Sequence, residues 1–222
     1  MISKAINYYK ENKSSFDEQF RIRLHRSLSW LKKASSFYTE SEDNLDFTFI
    51  SLWISFNAIY GRDLCGSLKE GDKERLKTFI RDICYLDTEK TLNNIVWNKF
   101  SKCINMLLKN HYTYQKYWDY VNGDKYAENW EESFKNINNV AIGCLEKQDT
   151  ETLLALVFDR LYTIRNQLVH GGATCGSVKN RIQIDDGAEF LMEIIPQMLI
   201  IMMKNPDKSE NWGKPFYPPI KE

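Results

Sequence analysis

Three polar side chains stand close together in the stretch RLYTIRNQLVHGG, residues 160–172: Arg165, Asn166 and His170. A guanidinium offers a planar fork of donors that matches a phosphate, and an amide offers both a donor and an acceptor. An imidazole takes up or releases a proton near neutral pH. Together they suit phosphoryl chemistry that needs no metal, the arginine neutralising charge that develops on phosphorus and the histidine moving the proton. The same residues also suit a plain helix end, because polar side chains followed by Gly171 and Gly172 satisfy the last free carbonyls. Both readings stay open on spacing alone.

At about 100° per residue, Leu154, Val157, Leu161, Ile164 and Leu168 form one apolar stripe that faces a core. Arg165 lies at the edge of that stripe. Tyr162, Asn166 and His170, at successive steps of four, run down an adjacent flank, so Asn166 and His170 are neighbours and Arg165 can reach them. At a helix C-terminus the partial negative charge of the last carbonyls favours an imidazolium.

The elements that must position these residues are helical nearly throughout. Phe20, Leu24, Leu28 and Leu31 mark one face of a helix over 16–37, whose other faces carry Arg21, Arg23, His25 and Arg26. FTFISLWISFNAIY is apolar on almost every side, which predicts a central helix over 46–60 that ends at Gly61. A loop follows at 62–71, and Asp72 then caps a helix to about Leu86. Asp87 or Thr88 caps the next, through Leu92, Ile95, Val96, Phe100, Ile104 and Leu107. Residues from about 110 to 145 read as a peripheral insertion of short helices closed by a helix over 130–145. Helices over 150–170 and 180–204 follow, the last kinked at Pro196. The aromatic, proline-rich tail NWGKPFYPPI within 205–222 reads as a strap that packs back on the body. No alternating run competes as a strand, so the fold class is all-α: one antiparallel helical bundle over 1–222.

The 222 residues are 43% hydrophobic and 14% aromatic, ample for a buried core, and 30 basic side chains balance 30 acidic ones. Nothing global marks a nucleic-acid coat or a membrane-surface binder. The cysteines, Cys65, Cys84, Cys103, Cys144 and Cys175, lack metal-ligand spacing and read as reduced and structural. The first residues lack the apolar core of a signal peptide, and 190–203 is too short and too interrupted to span a bilayer, so the expected location is the cytoplasm. No cofactor and no metal is expected. His25 and His111 show no pattern of a metal site or a triad.

The RIRLHR cluster, with Arg23 and Arg26, is a solvated helix face or a place where RNA phosphates lie. Asn57, an amide within the apolar helix, needs partners; it bonds within the bundle or braces Arg165 or His170 from behind.

The segment Arg165-Asn166-Gln167-Leu168-Val169-His170, on the penultimate long helix of an all-helical chain, resembles the signature of the HEPN superfamily (higher eukaryotes and prokaryotes nucleotide-binding): an arginine, a polar residue such as asparagine, and a histidine. The aromatic helix ending LWISFNAIYG and the long helix after RNQLVHGG resemble bacterial HEPN-like proteins over roughly residues 16–205. The resemblance implies a bundle that forms a homodimer with two RNxxxH helices facing across a cleft. It implies a ribonuclease of a toxin-antitoxin, abortive-infection or CRISPR type, or a member that only binds nucleotides or scaffolds a complex. Arg165 and His170 would be the catalytic pair and Asn166 the orienting residue, with RNA as substrate and an antitoxin or regulatory protein as a further partner. Tyr162, Asn57, Arg23 and Arg26 would support the site or the substrate. One variant of the motif has a tyrosine two residues after the histidine; that position here is Gly172, so the acceptor for tyrosine modification is missing.

Overall fold

The computed structural model describes residues 1–61, 71–178, 180–208, 212–215 and 217. The loop expected at 62–71, Cys65 and much of the tail lie largely outside the described residues. Among those described, ten α-helices and no strand occur. They are α1 (Ile2–Asn12), α2 (Glu18–Glu40), α3 (Leu45–Tyr60), α4 (Asp72–Leu86), α5 (Thr91–Asn94), α6 (Ser101–Lys109), α7 (Gln115–Val121), α8 (Trp130–Lys147), α9 (Thr150–Val169) and α10 (Arg181–Lys204).

The central helix is α3, and the burial of Phe49, Leu52, Trp53, Phe56 and Ile59 explains its apolar sequence. It packs antiparallel to α9: Phe56 stacks on Phe158 at 4.3 Å between ring centroids, and Trp53 meets Tyr162 edge-on at 5.8 Å. Contacts of this kind contribute roughly 0.5–1.5 kcal/mol each beyond the area they bury. Helix α10 runs beside both. Gly187 allows this close approach, since a Cβ there would stand 2.8 Å from Leu161 Cδ2 and 3.0 Å from Phe49 Cε2. α10 continues through Pro196 as one helix.

Three sequence expectations are corrected locally. Gly71, not Asp72, is the residue that precedes α4. The helix expected through Leu92 and Leu107 is not continuous: α5 passes into a π-helical turn over Ile95–Lys99, breaks at Phe100 and restarts as α6. Asp87 nevertheless does the capping, as its carboxylate accepts from the Thr91 and Leu92 amides at 2.9 and 2.7 Å.

Arg23 is the third correction. Its helix position suggested an outer face, yet it is fully buried. Nη1 donates to the carbonyls of Ala58, Ile59 and Gly61, and Nη2 to those of Trp212 and Gly213, at 2.7–3.1 Å. One guanidinium therefore satisfies the free carbonyls at the end of α3 and ties the C-terminal segment to the body. Trp212 is buried there, 5.6 Å from Phe79. No helix among the described residues is long and apolar enough to cross a membrane.

Candidate functional site

Asp149 caps the start of α9, accepting from the Thr152 amide at 3.0 Å. The far end closes through glycine. Gly171 adopts φ +72, and the amides of Gly171 and Gly172 return to the carbonyls of Leu168 and Gln167 at 3.5 and 2.7 Å. This crossed pair of bonds is a Schellman closure, which favours a residue without Cβ at the left-handed position. It terminates the helix at His170, whose side chain is exposed.

Leu154, Val157, Leu161 and Ile164 are buried as the stripe requires, and Leu168 is half-buried. Arg165 and Asn166 are half-buried beside it and bond to each other, Nη1 to Oδ1 at 2.9 Å. The Arg165 guanidinium also lies 5.9 Å from the Tyr162 ring centroid, and Lys73 of α4 lies 5.6 Å from the same ring. Cations within about 6 Å of a ring face are attracted by its quadrupole. Lys73 is partly neutralised by Asp159 at 2.8 Å, whereas Arg165 forms no ion pair among the described residues. The flank is thus a positive surface in which Lys73 and Arg165 stand over one aromatic ring.

Residues that spacing did not single out hold this end in place. Gln167 donates to the carbonyl of Tyr112 at 2.7 Å and accepts from Asn180 at 3.2 Å, linking α9 to the insertion and to the start of α10. Asp46 accepts from Arg181 and from the Gly176 amide. Their partners are distant in sequence, and no local pattern announces them.

Asn57 does not brace Arg165 or His170. Because α3 and α9 are antiparallel and Phe56 is level with Phe158, Arg165 stands seven residues further along, about 10 Å away on the axis. Asn57 instead lines a separate cleft of about 520 Å³ with Arg26, Trp30, Arg75 and Tyr217. Arg26 donates there to the Tyr217 carbonyl at 2.6 Å, and the Asn57 Oδ1 is buried without a partner among the described residues. So Arg165 brings Tyr162 and Asn166 together with His170 at the exposed helix end beyond them, Arg26 and Asn57 line a separate cleft, and Arg23 serves the core.

His25 is exposed, and His111 packs among Tyr112, Tyr117 and Trp130. Among the described residues no group of three or more His, Cys, Asp or Glu side chains is placed to hold a metal ion. The thiols of Cys84 and Cys103 are pushed up to about 12, by burial first and nearby carboxylates second.

Arg160 is a further residue that the sequence left unnoticed. It is 1% exposed, its guanidinium lies 4.4 Å from the Tyr114 ring and 5.4 Å from Phe134, and none of its three nitrogens finds a hydrogen-bond partner among the described residues. Burial lowers its pKa, with Asp159 opposing.

Comparison with family models, with curated proteins and with solved structures returns no match.

Proposed function

We propose that the chain is a HEPN-type endoribonuclease that cleaves RNA without a metal, through the 2′-hydroxyl of its own substrate. The observation that carries this reading is the Arg165 side chain, half-buried on the His170 flank and held at 2.9 Å by the neutral amide of Asn166 rather than by a carboxylate. A guanidinium held by an amide keeps its full charge for a phosphate. His170, exposed at the helix end, is open to a substrate.

In this mechanism a histidine takes the proton of the 2′-hydroxyl and the oxygen attacks the adjacent phosphorus. The bond to the 5′-oxygen breaks, and that oxygen leaves with a proton from a second acid. The products are a 2′,3′-cyclic phosphate and a 5′-hydroxyl. A second copy of the chain would supply the second His170 and Arg165. Val169, Val178, Ile182 and Phe47, all exposed on the elements at this end, support a homodimer face there.

The Arg165–Asn166 bond also supports a second reading, a dimeric module that binds a nucleotide or a partner protein without chemistry. Regulated expression in bacteria separates the two. The enzyme reading expects growth arrest from the wild type and none from His170→Ala, with an antitoxin or regulatory partner able to relieve it. Equal growth with both forms, alongside retained nucleotide binding, supports the module.

A further inference from the structure

The end of the bundle remote from His170 carries a polar cleft of about 500 Å³ between α1, the α4–α5 connection and the last turns of α10. It lies some sixteen residues along α10 from Arg181, about 24 Å. Volumes of this size suit a small ligand.

Four lysines line it: Lys4, Lys90, Lys99 and Lys204. Lys99 and Lys204 are paired with Glu193 and Glu89. The remaining acid, Asp87, is engaged by the Thr91 and Leu92 amides and the Thr91 hydroxyl, at 2.7–2.9 Å. Lys90 has no acidic partner among the described residues, and Lys4 adds a second positive charge to that of Lys204 beside Glu89, so the cleft has a surplus of positive charge.

Gln197 makes the cleft more than a charged surface. Only 6% of it is exposed, it borders the cleft, and its amide has no hydrogen-bond partner among the described residues. Its amide nitrogen and oxygen are not among the fully buried unpaired atoms of the described residues, so they open onto the cleft, where a ligand hydroxyl can pair with them. No aromatic side chain is among the described lining residues, so the cleft offers no platform on which a base would stack. Thr88 adds a hydroxyl at the rim.

We propose that this cleft binds the phosphate monoester of a hydroxyl-rich, non-aromatic small molecule, with Lys4 and Lys90 on the phosphate and Gln197 on a hydroxyl. Isothermal titration of the full chain with glucose 6-phosphate, glucose, inorganic phosphate and AMP tests it. Saturable binding of glucose 6-phosphate is expected, at least tenfold tighter than glucose or inorganic phosphate and tighter than AMP. The double variant Lys4→Ala/Lys90→Ala, both on the surface, should lose at least tenfold while keeping the helical circular-dichroism spectrum. Gln197→Met should weaken glucose 6-phosphate but leave inorganic phosphate unchanged. The proposal is overturned if glucose 6-phosphate does not bind, if the double variant binds it equally well, or if AMP binds more tightly.

Discussion

Asp46 and Arg181 lie 135 residues apart and form a two-pronged ion pair, Nη1 to Oδ1 at 3.1 Å and Nη2 to Oδ2 at 3.4 Å. The same carboxylate accepts from the Gly176 amide at 2.8 Å, so it ties the segment after His170 and the start of α10 to the start of α3. Asp46 is only 5% exposed and needs these partners to offset its lost hydration. Asp46→Ala is expected to cost about 2 kcal/mol in urea unfolding, since it strands Arg181 and frees the segment. A change under about 0.5 kcal/mol would show that the pair does not hold this end together.

Arg23 is expected to be the most sensitive basic residue. Arg23→Met leaves five carbonyls without their donor and should lower stability by at least about 3 kcal/mol. Arg23→Lys should recover only part, because one ammonium cannot serve acceptors on two sides as a planar fork does. The emission of Trp212 should shift to the red in both. Wild-type stability in Arg23→Lys would contradict the clamp.

The buried guanidinium of Arg160 behaves oppositely. It is desolvated, stacked on Tyr114 and Phe134, and without hydrogen bonds among the described residues. A methionine keeps the stacking shape and removes the buried charge, so Arg160→Met should leave the melting temperature unchanged or raise it. A drop of about 5 °C or more would mean that Arg160 supplies bonds of its own.

Asp185 and Asp186 have raised pKa values, chiefly through burial, with like charges adding: Glu189 beside Asp185, and Asp185 beside Asp186. A carboxyl whose folded pKa is raised contributes stability below its unfolded pKa and loses it as pH rises through the folded value. Asp186→Asn should therefore stabilise the protein at pH 7 and have little effect near pH 3, as denaturant midpoints at the two pH values will show. An equal effect at both would exclude the electrostatic cause.

The parts of the fold written in local periodicity were legible: the all-round apolar α3, the α9 stripe, the Asp87 cap, and the glycine closure after His170. So was the reach of Arg165 to Asn166. Periodicity assigns a face but not what covers it. Arg23 reads as a surface arginine until the end of α3 and the segment around Trp212 come to meet it. Asn57 lies two turns from the motif for a similar reason, since the antiparallel run of α3 and α9 is set by Phe56 on Phe158. The π-helical turn at Ile95–Lys99 carries no proline or glycine to announce it.

The central claim is that Arg165 and His170 cleave RNA, and the chemistry of the RNA ends tests it most directly. Purified wild-type protein incubated with single-stranded RNA in EDTA should yield 2′,3′-cyclic phosphate and 5′-hydroxyl ends. His170→Ala and Arg165→Ala should each lower the rate at least about 100-fold while keeping the wild-type melting temperature. Cleavage at the wild-type rate by either folded variant, or no cleavage by the wild type, would contradict the account.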